Sequence, residues 1–306
     1  MSSSRVDIDD LSKETEAVND RPLDEYAQKS YKKSDGQQAK WYDIPNDPED
    51  ISGGYLLRIE TTYDYKNRPS AYITKRNNQI QLISPKYASQ RQVQYVSDMM
   101  RSLENAIFAK DGVDPETGKH YSQILDMHSS VYKYTLEECL MCKDANLNSQ
   151  YFYKPVDSES TLVYAGPIWD FDASLGSSAT RDKVTPMDPE AFWVSKDIHV
   201  KTWYSALYAH SDYQEQVREA WSTTYRKAMD ILLGAETDPQ GVLLSIDEYA
   251  DKVRAAAEMD IIRWESLNSI DLASKKTGKT FTSNITYLKS FVQKRRDWLD
   301  KQWGSD

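Results

Sequence analysis

Lys143-Asp144-Ala145-Asn146-Leu147-Asn148-Ser149-Gln150-Tyr151-Phe152-Tyr153-Lys154, followed by Gly166-Pro167-Ile168-Trp169-Asp170-Phe171-Asp172-Ala173-Ser174-Leu175-Gly176, is where this sequence concentrates its chemistry. The segment before it, about 129–143, carries Val131, Tyr134, Leu136 and Leu140 and reads as a helix. Asp144, Asn146, Asn148 and Ser149 therefore sit just past a helix end. An irregular loop held between a helix and a strand can aim several oxygens at one point. Tyr151-Phe152-Tyr153 and Leu162-Val163-Tyr164 read as two short strands around the loop 157–160. Asp170 and Asp172 flank Phe171. If that stretch is a strand, alternation puts both carboxylates on one side. Each piece alone is bland: Asp-x-Asn-x-Asn is commonly a solvated turn or an Asx cap, and Trp-Asp-Phe-Asp alone reads as a strand edge.

The combination is more specific. An aspartate loop, a hairpin and a second aspartate pair is how protein kinases build their site. The first Asp orients a hydroxyl nucleophile, while an Asn and the second Asp hold Mg²⁺ against the ATP phosphates. Hard oxygen ligands suit Mg²⁺ or Mn²⁺. Gly166–Gly176 resembles the Gly-Pro-(Val/Ile)-Trp-Asp-x-Asp…Gly signature of the spore-coat-protein-H (CotH) kinase family of secreted bacterial proteins. Asp144 with Asn148-Ser149-Gln150-Tyr151-Phe152-Tyr153-Lys154 resembles its Asp…Asn-Ser-x-Tyr-x-Tyr-Lys loop and strand. Val6-Asp7-Ile8-Asp9-Asp10-Leu11, Gly53-Gly54-Tyr55-Leu56-Leu57 and Trp203…Leu207…Tyr213…Val217…Trp221 also fit, so the likeness runs from about Val6 to Trp303.

The resemblance implies a divergent protein-kinase fold and transfer of phosphate from ATP to a protein serine, at a spore or cell surface or outside the cell. It implies Asp144 as the catalytic-loop aspartate and Asn148 and Asp170 as ATP–metal ligands. Asp172 is then a second metal ligand or a structural partner. The Asp-Phe dipeptide favours Asp170 as the principal ligand. Two departures stand out. Cys142 occupies a position where the family often has Asn. The family's N-terminal strands, with their Asn-Gly-x-Tyr-x-Gly-x-Tyr-type stretch, have no counterpart, nor is there a Gly-rich loop over phosphates; Lys75 and Lys86 read as surface lysines. The expectation is a truncated, strand-bearing N-terminal lobe over 1–108 and a mainly helical C-terminal lobe over 109–306, with phosphoryl transfer weakened. The rival reading is a non-catalytic kinase-like module serving surface display or assembly.

The whole chain fits this class. At 306 residues it can bury a sizeable core. Its net charge of −10 disfavours nucleic acid; it keeps the surface solvated and also suits a basic protein or peptide partner, while a Ser-rich acceptor is what the resemblance implies. Tyr and Trp are used heavily, 21 and 8 against 6 Phe, which suits half-buried positions and groove linings because each keeps a polar handle. Cys139 and Cys142 are too few for a four-thiolate metal site and lie on a helical segment, so they read as packing residues. His120, His128, His199 and His210 show no zinc spacing. No apolar run approaches the roughly 20 residues that span a bilayer. Met1–Arg5 lacks the apolar core of a signal peptide, so a secretion signal is expected upstream or not at all.

Strands early and helices late predict an α+β protein. A short helix is expected near Asp10–Glu14, capped by Asp9 or Asp10, and a loop or linker over Lys29–Ala39. Strands are expected at 55–60, 71–74 and 80–83, the last two joined through Asn77-Asn78. Helices are expected at 89–108, 203–209, 213–233, 246–264 and 282–303, the fourth residue class of the last being basic (Lys294, Arg295, Arg296) beside an apolar stripe.

Overall fold

The computed structural model describes residues 28–32, 38–42, 48–60, 65, 68–146, 148–176, 188–195, 203–264 and 280–304. The helix expected near Asp10 lies outside them, as do most of the loop after Gly176 and residues 33–37. The protein is α+β, with an antiparallel sheet and a set of helices. It forms two compact units. One comprises the chain up to Arg101 together with Phe152–Val163; the other comprises Ser102–Tyr151 and the chain from Tyr164 onward.

The first unit is built on strands β1 (Gln28–Lys32), β2 (Gln38–Tyr42), β3 (Tyr55–Glu60), β4 (Ala71–Ile73) and β5 (Gln79–Ser84). They lie in the order β1-β2-β4-β5-β3, all neighbours antiparallel. Burial in β3 alternates: Tyr55, Leu57 and Ile59 point inward, and Leu57 and Ile59 face Leu82 and Ile80 of β5. Asn77 closes the β4–β5 turn at φ 65°, a conformation that Asn tolerates better than most residues. Of the loop expected over Lys29–Ala39, the described ends are strand: β1 and β2 pair from Gln28↔Tyr42 to Lys32↔Gln38, and Ala39 lies opposite Tyr72 of β4. Lys, Ser and Gln concealed these strands because their register is set by pairing, β2 with β4 and β1 with β2, and not by an apolar alternation of their own.

Helix α1 (Gln90–Phe108) begins in this unit. Ser89 Oγ accepts from Gln92 N–H, and Gln92 Oε1 accepts from Ser89 N–H, a reciprocal cap. Val93, Val96 and Met100 are buried, and the Tyr95 ring stacks on Tyr55 of β3 at 5.9 Å. The end of strand β6 (Gln150–Lys154) runs beside β3, where Lys154 O accepts from Gly54 N–H. The Lys154 ammonium, almost wholly buried, donates to Pro155 O, Asp157 Oδ1 and Ser160 O and so folds the following turn around itself. Gly53 lies against that turn so closely that a Cβ would stand 2.0 Å from Pro155 O.

In the second unit, helix α2 (Met127–Leu140) is capped by Asp126, whose carboxylate accepts from Ser129 N–H at 2.7 Å. The start of β6 pairs with β7 (Tyr164–Ala165), and Gly166 N–H bonds Tyr151 O. Helix α3 (Trp203–Leu207) precedes a long rod made of α4 (Ser211–Ala220), a π-turn (Trp221–Tyr225) and α5 (Arg226–Leu232). The sequence pattern predicts one uninterrupted helix here. The π-turn lets Trp221 bury fully while Tyr225 OH donates to Tyr132 O of α2 at 2.7 Å. Helices α6 (Ile246–Trp264) and α7 (Phe281–Trp303) complete the unit. Among the described residues no helix is long and apolar enough to cross a membrane.

Arg295 of α7 is not a surface base. Both it and Glu138 of α2 have fully buried side chains, paired at 2.6 Å. Glu138 also accepts from the backbone N–H groups of Trp193, Val194 and Ser195, while Arg295 donates to Pro189 O and Ala191 O. Two cooperating helices thereby hold residues 188–195.

Two outcomes follow. Gly53→Ala should destabilise the protein by about 1–3 kcal/mol, since the clash is with backbone that cannot step aside. Arg295→Met should cost about 3–5 kcal/mol, because it strands a buried carboxylate. Urea unfolding of each variant beside the parent checks both.

Candidate active site

Helix α2 stops at Leu140. Met141 takes the left-handed conformation (φ 50°), turning the chain so that Cys142 N–H reaches back to Glu137 O. A single 3-10 turn, Lys143–Asn146, then carries Asp144, and Asn148 N–H closes on Asp144 O at 3.0 Å. Ser149, at φ 57°, redirects the backbone into β6. These reversals within nine residues keep the Asp144–Asn148 segment compact at the helix end.

The second motif approaches from β7. Residues 166–171 are not a strand, and Asp170 has φ 65°. Alternation therefore does not account for the placing of Asp170 and Asp172. A left-handed turn at Asp170 followed by the turn at 172–173 does so, and Ser174 Oγ steadies it by donating to Phe171 O at 2.6 Å. Likewise only Tyr164–Ala165 forms the strand expected over 162–164.

The two motifs are stitched together. Lys143 N–H donates to Ala173 O and Leu175 N–H to Leu140 O. The Ser149 hydroxyl donates to Asp170 Oδ2 at 3.0 Å, and the Cys142 thiol lies 3.7 Å from Asp170 O. Trp193 Nε1 donates to Cys142 O, which links this junction to the segment held by Glu138 and Arg295. Gly176, at φ 74°, ends the motif against α7, where a Cβ would come within 2.7 Å of the Phe291 ring.

Electrostatics follow from this crowding. The Asp144 carboxyl is pushed above the ordinary aspartate range, first by burial, then by the charge of Asp170 and, less, of Asp172, with Lys143 opposing the rise. Asp144 and Asn148 are half-buried, while Asp170 and Asp172 are exposed. Ile168 and Trp169 stand beside Asp170 with more than half their surface in solvent, Trp169 edge-on to Tyr151 at 6.1 Å. Cys139 and Cys142 are free, buried thiols. Burial pushes both upward, Cys142 to about 12, so each is a protonated packing group.

The donor set is oxygen-rich: carboxylates from Asp144, Asp170 and Asp172, the Asn148 amide and the Ser149 hydroxyl. Among the described residues no group of three or more His, Cys, Asp or Glu is disposed to hold a metal ion. One or two carboxylates with an amide is still a fitting set for Mg²⁺, which keeps much of its shell for water and phosphate. Sequence reasoning missed the left-handed Asp170 and the Ser149–Asp170 bond, and it did not foresee that Glu138 is a hub. The available signal for the last was the adjacent Glu137-Glu138 pair within a helical segment that also carries Val131, Tyr134, Leu136 and Leu140.

The family model described as CotH kinase protein matches residues 19–299. No curated protein and no solved structure matches the chain. With most of its length matched, and with the two quoted motifs inside that span, the chain belongs to the CotH kinase protein family.

Proposed function

We propose that this chain is a CotH-like atypical kinase with a divergent protein-kinase-like fold, transferring the terminal phosphate of ATP to a serine hydroxyl of a protein at a spore or cell surface. The observation that supports it, in a chain of this family, is the crowding at Asp144, whose carboxyl is raised first by burial and then by the charges of Asp170 and, less, of Asp172. A divalent cation would offset the repulsion between Asp144 and Asp170.

In this reading Asn148 and Asp170 hold Mg²⁺ or Mn²⁺ with the ATP phosphates, and Asp172 assists. The bound cation with its nucleotide supplies the transferable phosphoryl group and neutralises the charge that develops on it. Asp144 would accept a hydrogen bond from the serine hydroxyl, orient it, and take its proton as the serine oxygen bonds to the terminal phosphorus and the bond from that phosphorus to the ADP oxygen breaks, releasing ADP. Its elevated proton affinity suits that role, since a base works best with a pKa drawn toward the working pH. Ser149 holds the Asp170 carboxylate by one oxygen and leaves the other for the cation. The exposed acidic residues favour a basic protein segment as acceptor.

Calorimetric titration of ATP with Mg²⁺ or Mn²⁺, beside transfer of labelled phosphate to Ser-rich protein, tests the reading. Asp170→Asn should abolish measurable metal-dependent ATP binding. Asp144→Asn should keep binding and lose about a hundredfold or more in turnover. Absence of ATP binding by the parent chain would overturn the reading and leave a non-catalytic kinase-like module.

The pH dependence has a fixed sign. Lys143 lowers the Asp144 pKa, so Lys143→Gln should raise it and leave less of the base ionised at a given pH. The acid limb of the turnover profile should move to higher pH, measured with saturating ATP and metal.

A further inference from the structure

Beneath the candidate loop lies an ionic group that this chemistry does not use. Lys133, one turn before Glu137 on α2, has a side chain 3% exposed, and Glu137 is 1% exposed. The two are in direct contact, and Lys133 Nζ also donates to Gln150 Oε1 at 2.7 Å. Gln150 Nε2 returns a bond to the same carboxylate oxygen, Glu137 Oε1, at 3.1 Å. The three side chains thus close a ring from the middle of α2 to the first residue of β6. Tyr204 borders it, its ring 5.8 Å from the Lys133 ammonium.

Burying such a pair does little for stability. Desolvating two charges offsets their attraction, and apolar substitutes of similar size often serve as well or better. Burial outweighs even the adjacent ammonium at Glu137, whose carboxyl stays above its ordinary range, and Glu137 Oε2 has no hydrogen-bond partner among the described residues. What the ring does accomplish is geometric. Gln150 follows Ser149, and Ser149 is the residue whose left-handed backbone aims its hydroxyl at Asp170. Asn148 lies one residue further back. Fixing the Gln150 side chain from below removes the freedom of the peptide that sets both.

We propose that Lys133, Glu137 and Gln150 form a positioning triad that holds Asn148 and Ser149 in register with Asp170. The assignment of consequence to catalysis rests on the reading of Asn148 and Asp170 as metal–nucleotide ligands. Lys133, Glu137 and Gln150 touch neither nucleotide nor acceptor in this scheme; they act through the backbone of 148–150.

The test compares Gln150→Leu and the double variant Lys133→Met/Glu137→Leu with the parent. Three quantities are measured: melting temperature, amide hydrogen exchange, and ATP-dependent phosphate transfer with Mn²⁺. Both variants should exchange amides about tenfold faster in peptides covering 148–151 and 168–172, while those in the body of α2 keep their parental rates. The double variant, which removes both charges but strands the Gln150 amide, should melt only modestly below the parent. Turnover should fall about tenfold or more in each, with the KM for the protein acceptor little changed, because orientation and not acceptor binding is lost. Parental exchange at 148–151 in a folded variant would overturn the proposal. So would a turnover loss matched by Gly53→Ala at equal loss of melting temperature, since that would be general destabilisation. If the double variant does not fold, Gln150→Leu, which leaves the Lys133–Glu137 pair intact, decides alone. A parent chain that transfers no phosphate would defeat the kinase reading, and the exchange comparison would still decide the triad.

Discussion

A carboxylate with no solvent exposure must find all its compensation inside the protein, and Glu138 does so with one guanidinium and three consecutive backbone N–H groups. This constraint organises the helical unit. It binds α7 to α2 through Arg295, and it binds residues 193–195 to both. Removing any participant leaves a charge in a low-dielectric interior, where an unpaired ion is costly. Trp193 then carries the constraint outward, because its indole N–H reaches Cys142 O at the point where α2 gives way to the Asp144 turn. The candidate loop is thus anchored at its entrance by a structural ion pair, while Asp144 is half-buried and Asp170 exposed.

Two electrostatic regimes lie within a few residues of each other along α2. Glu137 and Glu138 are adjacent and both fully buried, each with its own cation from a different place in the chain. Asp144, Asp170 and Asp172 are partly or wholly exposed and have Lys143 as their local counterweight. In the first regime charge is neutralised by the protein, and the geometry is permanent. In the second, the carboxylates keep contact with solvent and the repulsion felt by Asp144 is left standing.

Much of this was legible in the sequence. The apolar spacing of Val93, Val96, Met100 and Leu103 marked α1, and Ile285, Leu288, Val292 and Leu299 marked α7, because helical periodicity is a local signal. Asn77 marked the hairpin turn, and the Asp-rich stretches marked the candidate site. Strands β1 and β2 were not legible, since Gln28, Lys29, Lys32 and Gln38 carry no alternation and acquire strand character only by pairing outward from β4. The turn at Asp170 was hidden for a related reason. Aspartate between Trp and Phe suggests an extended backbone, and its left-handed φ is imposed by Ser149 and the Lys143–Ala173 bond, which are remote in sequence. The role of Arg295 was not legible, because nothing within α7 announces a carboxylate 157 positions away.

The two thiols bring one more consequence. Cys139 and Cys142 flank the αL residue that ends α2, both shielded from solvent and both held protonated. A thiol reacts with alkylating reagents and oxidants as its thiolate. Neither sulfur can meet a reagent while α2 and the Asp144 turn keep their closure. Labelling of these cysteines is therefore a clock for opening at the base of the candidate loop, and it needs no introduced probe.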